Sequence, residues 1–239
     1  MTLYRRRLIK IRRKTTGLAL VGLISFIAGM TDAVGLVLSG DFVSFMTGNT
    51  TRAAIALGNG DMHHGMVLLV AILIFVCGNA LGVVLAHAAS RPAFVVLSWV
   101  SVLLSIASTL SSPATLLSQF YLVVLAMGMV NATVEHVEGL PIGLTYVTGA
   151  LSRFGRGIGR LVVGDRDFAW TIQIVPWIGM LAGAVVGALL VHQFAAKALL
   201  FVALVALIVA FSTLIIPRAL QHRYSQRIAR HAALAEQTP

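Results

Sequence analysis

The chain is short of charge, shorter still of acid, and nearly without cysteine. Only 11% of its 239 residues are Asp, Glu, Lys or Arg, and 58% are apolar. A soluble domain averages about 25% charged residues, and a soluble fold of this size would need polar groups on its outer face that this chain does not have. The single cysteine, Cys77, rules out an internal disulfide and any multi-cysteine metal site. Its place in an apolar run reads as packing. No H-E-x-x-H, Walker loop or G-x-S-x-G occurs. Asp32 and Glu135, the acidic residues inside apolar runs, form no paired-carboxylate motif. Nothing here supports an enzyme, and no cofactor or metal is expected.

What is present is hydrophobic length. Runs at roughly 17–38, 65–89, 93–111, 117–135, 170–193 and 198–217 each approach or exceed the ~20 apolar residues that cross a bilayer as a helix. They are continuous rather than alternating, which disfavours a β-barrel. The expectation is an all-α polytopic membrane protein. The scarce charge is also segregated: seven of the 18 Lys and Arg lie in the first 14 residues, and Arg218, Arg223, Arg227 and Arg230 lie in the tail. Basic flanks stay cytoplasmic, so both termini are expected inside and the number of crossings even. Such tails meet anionic lipid headgroups, and the net charge of +10 gives no reason to expect nucleic acid. The first apolar run is too long for a signal h-region and lacks an obvious cleavage site, so it is read as a retained span.

The chain also looks duplicated. "MTGNTTR" (46–52) and "VTGALSR" (147–153) share Thr, Gly and Arg at one spacing. "GMTDA" (29–33) precedes the first and "GMVNA" (128–132) the second; "GNALGVVLAH" (78–87) and "GAVVGALLVH" (183–192) follow in turn. Three matched blocks in one order imply two homologous halves, 15–112 and 116–217, between basic tails at 1–14 and 218–239. Each half would hold about three transmembrane helices plus a broken or short TG-motif helix. If that helix re-enters, the halves have three crossings each and are inverted; if it spans, they have four and are parallel. Three arginines within 140–163 make a full span costly, at ~2.5–3.5 kcal/mol each near the bilayer centre, so the re-entrant form is the working expectation.

Non-helical backbone at membrane depth is tolerated where it is buried in protein or lines water, and discontinuous helices from two repeats commonly frame a substrate site. The candidate substrate-binding residues are Asp32, Thr47, Gly48, Asn49, Thr50 and Arg52 from the first half, with Asn131, Thr148, Gly149 and Arg153 from the second. Taken singly, each Thr or Asn reads more simply as a helix fastener; the paired insert is what raises a functional reading. Asp32 could pair with Arg52 or carry a proton or cation, and its counterpart Asn131 is neutral. Glu135 and His136 read as loop-edge residues. Arg153, Arg156 and Arg160 share one helix face, as an interfacial helix in the headgroup layer or as an anion-attracting vestibule. His87 and His192 stand near equivalent helix ends. Stripes of small residues, Gly179/Gly183/Gly187, Gly78/Gly82 and Ser25/Gly29/Ala33, let helices approach closely, inside the bundle first and at a homodimer interface second.

The stretch "AGMTDAVGLVLSGDFVSFMTGNTTR" followed by "LTYVTGALSRFG" resembles the YoaK family of bacterial membrane proteins, across nearly the whole chain between the tails. The resemblance implies a multi-span bacterial inner-membrane protein, with Asp32, Thr47, Gly48, Asn49, Thr148 and Gly149 as the family's characteristic positions. It implies no settled biochemistry. The functional expectation from the residues is a small-solute or ion transporter with a polar site made by the two TG segments. A channel, or a non-transporting membrane scaffold or accessory protein, stands as the alternative.

Overall fold

The computed structural model describes residues 3–133, 136–137, 140–141 and 147–216. Apart from a two-residue antiparallel ladder, His136–Val137 on Leu140–Pro141, all regular structure is helical. Four helices come first: α1 (Leu3–Ser39), α2 (Met46–Gly58), α3 (Met62–Ala88) and α4 (Pro92–Thr109). Four follow: α5 (Leu116–Val130), α6 (Val147–Val162), α7 (Ile174–Phe194) and α8 (Ala198–Thr213). The TG helices α2 and α6 are each followed by two apolar helices.

Local chemistry sets the boundaries. Gly40, Gly60 and Gly164 take positive φ, a region glycine enters without steric cost. Both short helices close the same way. The Gly60 N–H donates to Leu57 O and Asp61 N–H to Ala56 O; the Gly164 N–H donates to Leu161 O and Asp165 N–H to Arg160 O. This is a Schellman closure in each case. Asp61 then caps α3 by accepting from His64 N–H. Pro92 opens α4 at its first turn, where its missing N–H costs nothing. α5 ends earlier than its hydropathy predicts, at Val130, where the Thr133 hydroxyl takes up Val130 O.

Five stretches are long and apolar enough to cross a membrane: Thr15–Ser39, Met62–Ala88, Pro92–Thr109, Pro113–Val130 and Ala169–Thr213. The last contains both α7 and α8, broken by the turn at Ala195, whose φ is +48°. At 13 residues α2 is ~20 Å long and at 16 residues α6 is ~24 Å; neither belongs to these stretches.

The most extensive helix contacts are α1 along α7, α4 along α8 and α3 along α5. Lipid chains are as apolar as leucine, so close backbone approach must hold such a bundle. Glycine provides it at two crossings. Where α7 meets α1, a Cβ on Gly183 would strike Phe26 O, one on Gly187 would strike Met30 O, and one on Gly29 would strike Met180 O. Where α3 meets α5, the same holds for Gly78 at Leu125 O, Gly82 at Met129 O and Gly128 at Phe75 O. The interior is filled by Val21, Ile24 and Ile27 of α1, Val96 and Leu104 of α4, Met127 of α5 and Leu199 and Val202 of α8. The Ser101 hydroxyl donates to Ala203 O and joins α4 to α8. Leu73, Val76 and Val84 of α3, Leu189 of α7 and Ile208 of α8 point outward, as lipid-facing side chains do.

Candidate functional site

The first TG segment is fastened from both sides. Asp32, buried in α1, accepts from Val43 N–H at 3.1 Å, from Ser44 N–H at 2.9 Å and from the Ser44 hydroxyl at 2.6 Å. Its carboxylate thus holds the 40–45 loop against the helix it came from. From the other side Asn49, fully buried in α2, closes on a single residue. Its Oδ1 accepts from Phe42 N–H at 3.2 Å and its Nδ2 donates to Phe42 O at 2.6 Å. One side chain satisfies both polar groups of that residue, which a buried loop otherwise leaves exposed to apolar surroundings. Gly48 leaves room for the rings of Phe42 and Phe45, which meet edge to face.

Arg52 does not reach Asp32. Its Nε lies 3.2 Å from Oδ1 of Asp41, and His64 Nε2 lies 3.5 Å from the same oxygen. That oxygen is buried and takes no aligned hydrogen bond, so the Arg52 contact is ionic rather than directed. The Asp32–Arg52 pair weighed from the sequence is therefore replaced by Asp41–Arg52, because the loop turns Asp32 toward backbone N–H groups. Thr47 and Thr50 are exposed on α2; the Thr50 hydroxyl donates back to Met46 O.

The second segment is built differently. Thr148 is exposed and Gly149 half-buried at the start of α6. Around Gly149 the near neighbour is the guanidinium of Arg153. Arg153 Nε donates to Gln173 Oε1 at 3.0 Å, across to the 3-10 turn Ala169–Gln173 that leads into α7. Arg153, Arg156 and Arg160 line a cavity of about 320 Å³ with Asp165, Asp167 and Trp170. Asn131, just past α5, donates to Met127 O at 3.4 Å. Glu135 lies outside the described residues. Among those described, no hydrogen bond or ion pair joins α2 to α6; α2 packs on α3, and α6 on α7 and the Ala169–Gln173 turn. Among the described residues no group of three or more His, Cys, Asp or Glu could hold a metal ion.

Sequence reasoning missed Ser44, Phe42, Asp41 and Gln173 as partners. Asp41 was visible only as part of a Ser-Gly-Asp turn, and the others carry no motif. Cys77 is exposed, outward among apolar neighbours of α3 rather than packed inside. His87 and His192 are exposed in the last turns of α3 and α7.

A family profile described as "Protein of unknown function (DUF1275)" matches residues 20–212. The chain belongs to this family. Its members include UPF0700 transmembrane protein RA0705 of Rhizobium meliloti (strain 1021), to which the chain is 53% identical over 222 residues, covering 93% of this chain and 97% of the relative. No solved structure matches the chain. Family membership and the apolar helices agree that this is a transmembrane protein. The matched region includes every candidate site residue named above, from Asp32 to Arg153.

Proposed function

We propose that this protein is a small-solute or ion transporter of a bacterial inner membrane, built as two inverted repeats of three crossings and one short TG helix. The reading is compatible with the YoaK resemblance. The observation that carries it is the exchange relation among helix contacts. Swapping the halves turns the α1–α7 crossing into α5–α3, leaves α4–α8 unchanged, and turns α2–α3 into α6–α7. The glycines follow. Gly183 on Phe26 O answers Gly78 on Leu125 O, Gly187 on Met30 O answers Gly82 on Met129 O, and Gly29 on Met180 O answers Gly128 on Phe75 O. In the matched blocks Gly29 aligns with Gly128 and Gly183 with Gly78, so each contact has a partner at the aligned position.

Inverted repeats with interrupted helices are the usual frame of secondary transporters. The charge balance favours the inverted form. With six crossings and both tails inside, Arg91 and Arg153, Arg156, Arg160 and Arg166 join the tail residues in the cytoplasm, leaving Arg52 and Lys197 outside. On this topology α2 lies toward the outer face and α6 toward the inner one. The polar site assigned to the two TG segments then divides into two half-sites, one toward each face.

A scaffold or accessory role draws on one specific observation: Asp32 and Asn49 spend their polar atoms on the loop. One experiment separates the readings. Thr47→Cys and Thr148→Cys, each in a Cys77→Ser background, are labelled with a membrane-impermeant maleimide in oriented vesicles, and the purified protein is assayed for solute-driven currents in proteoliposomes. Inverted repeats require Thr47→Cys to react from outside and Thr148→Cys from inside; labelling of both from one face sinks that topology. Absence of current across a broad panel of ions, amines, acids and sugars favours the scaffold.

A further inference from the structure

The cavity on α6 has the chemistry of a phosphate cradle. Arg153, Arg156 and Arg160 stand three and four residues apart and so point the same way. Among the described residues no carboxylate lies within ion-pairing distance of any of them, although Asp165 and Asp167 share the cavity. Each of those two carboxylates accepts one turn N–H through one oxygen: Asp165 Oδ1 from Asp167 N–H, and Asp167 Oδ1 from Ala169 N–H. The guanidiniums are therefore left with donors to spare, since Arg153 uses only its Nε on Gln173.

The Trp170 ring also lines the cavity. The indole Nε1 of Trp170 is buried and has no acceptor among the described residues. Its ring is pressed under α6, where a Cβ on Gly157 would collide with it, and Phe154 packs on it edge to face at 5.2 Å. The ring is held in place, and an N–H without a partner costs about 1–3 kcal/mol. Guanidinium forks around one cavity ask for a ligand with several acceptor oxygens and negative charge. The volume is at the small end of ligand sites and holds a phosphate group with room for what it is attached to.

The surroundings favour a lipid as the source. Val162 and Val163, at the end of α6, are 81% and 83% exposed, and Phe168, between two lining residues in sequence, is 55% exposed. An amphipathic helix with arginines on one face and an unshielded apolar rim sits where headgroups meet acyl chains. We propose that the Arg153–Arg156–Arg160 face with Trp170 binds a phosphate group, that of a membrane phospholipid headgroup. This does not rest on transport.

The test uses the full-length protein in a phosphate-free maltoside detergent and follows the indole N–H resonance of Trp170 by NMR, assigned with Trp170→Phe. Dihexanoyl phosphatidylglycerol and inorganic phosphate are titrated separately, against wild type, Arg156→Gln/Arg160→Gln and Arg156→Lys. Expected is a saturable shift with the lipid at lower concentration than with phosphate, weakened about tenfold or more in the double Gln variant and partly retained in Arg156→Lys. A shift equal or stronger with inorganic phosphate keeps the anion site and overturns the lipid source. No shift with either, or one unchanged in the double variant, overturns the proposal. Arg156 and Arg160 are exposed, so these variants should fold; should the double Gln variant fail to, Arg160→Gln alone, with the weakening still required, carries the same decision.

Discussion

α2 and α6 hold the same place in the chain order and close on the same glycine turn, yet they are secured by different means. α2 is bolted down by neutral and anionic side chains that serve backbone: Asp32 on the 43–44 peptides, Asn49 on Phe42. At the aligned positions the second half has the neutral Asn131, and Ala150, which cannot repeat the Asn49 bond. What α6 has instead is cationic, with Arg153 tied to Gln173 and two further arginines facing open space. Copies of one element can thus share a frame while one becomes a fixed plug and the other keeps its polar groups for something outside the chain.

The frame itself gives the largest test. Gly78→Leu and Gly183→Leu should each abolish monodisperse folded protein in size-exclusion chromatography, because each drives a side chain into a facing carbonyl. Overpacking costs typically 1–3 kcal/mol, more against backbone. If one is tolerated and the other is not, the two crossings are not equivalents and the comparison fails. Next comes the bolt. Asp32→Ala leaves two backbone N–H groups and a hydroxyl unpaired in a buried place, and should cost about 3 kcal/mol or more in detergent unfolding. Asn49→Ala should cost about 1–2 kcal/mol and speed hydrogen exchange at the Phe42 amide. A silent Asp32→Ala would mean the first segment is not fastened as described. The smallest effect belongs to Arg52→Ala. Arg52 is 41% exposed, so its pair with Asp41 should be worth under ~1 kcal/mol. A large loss there would give the first segment a charge-based anchor like the second.

The membrane helices were legible because hydropathy and length speak directly to bilayer thickness. The runs at 65–89, 93–111 and 198–217 fall within a few residues of α3, α4 and α8. Two ends were not. α1 begins at Leu3, since Lys and Arg are good helix formers and a charge run that stops a membrane span does not stop a helix. α5 ends at Val130 because a hydroxyl intercepts the last carbonyl, an event hydropathy does not record. At the candidate site the residues themselves were visible and their partners were not. Asp32 is separated from Ser44 by a glycine turn, and which way its carboxylate faces follows from the loop, not from spacing. The Arg153–Gln173 bond spans a Schellman closure and a 3-10 turn, and no periodicity forecasts it.

The interlaced crossings carry a cost in time. The glycines of α1 are matched by α7, and those of α5 by α3, so the amino-terminal half cannot finish its own assembly. While the ribosome makes the stretch between Ser39 and Ile174, at ~5–20 residues per second, a nascent α1 waits on the order of ten seconds in the lipid with its notched face uncovered. Until α7 is delivered, lipid chains alone cover that face.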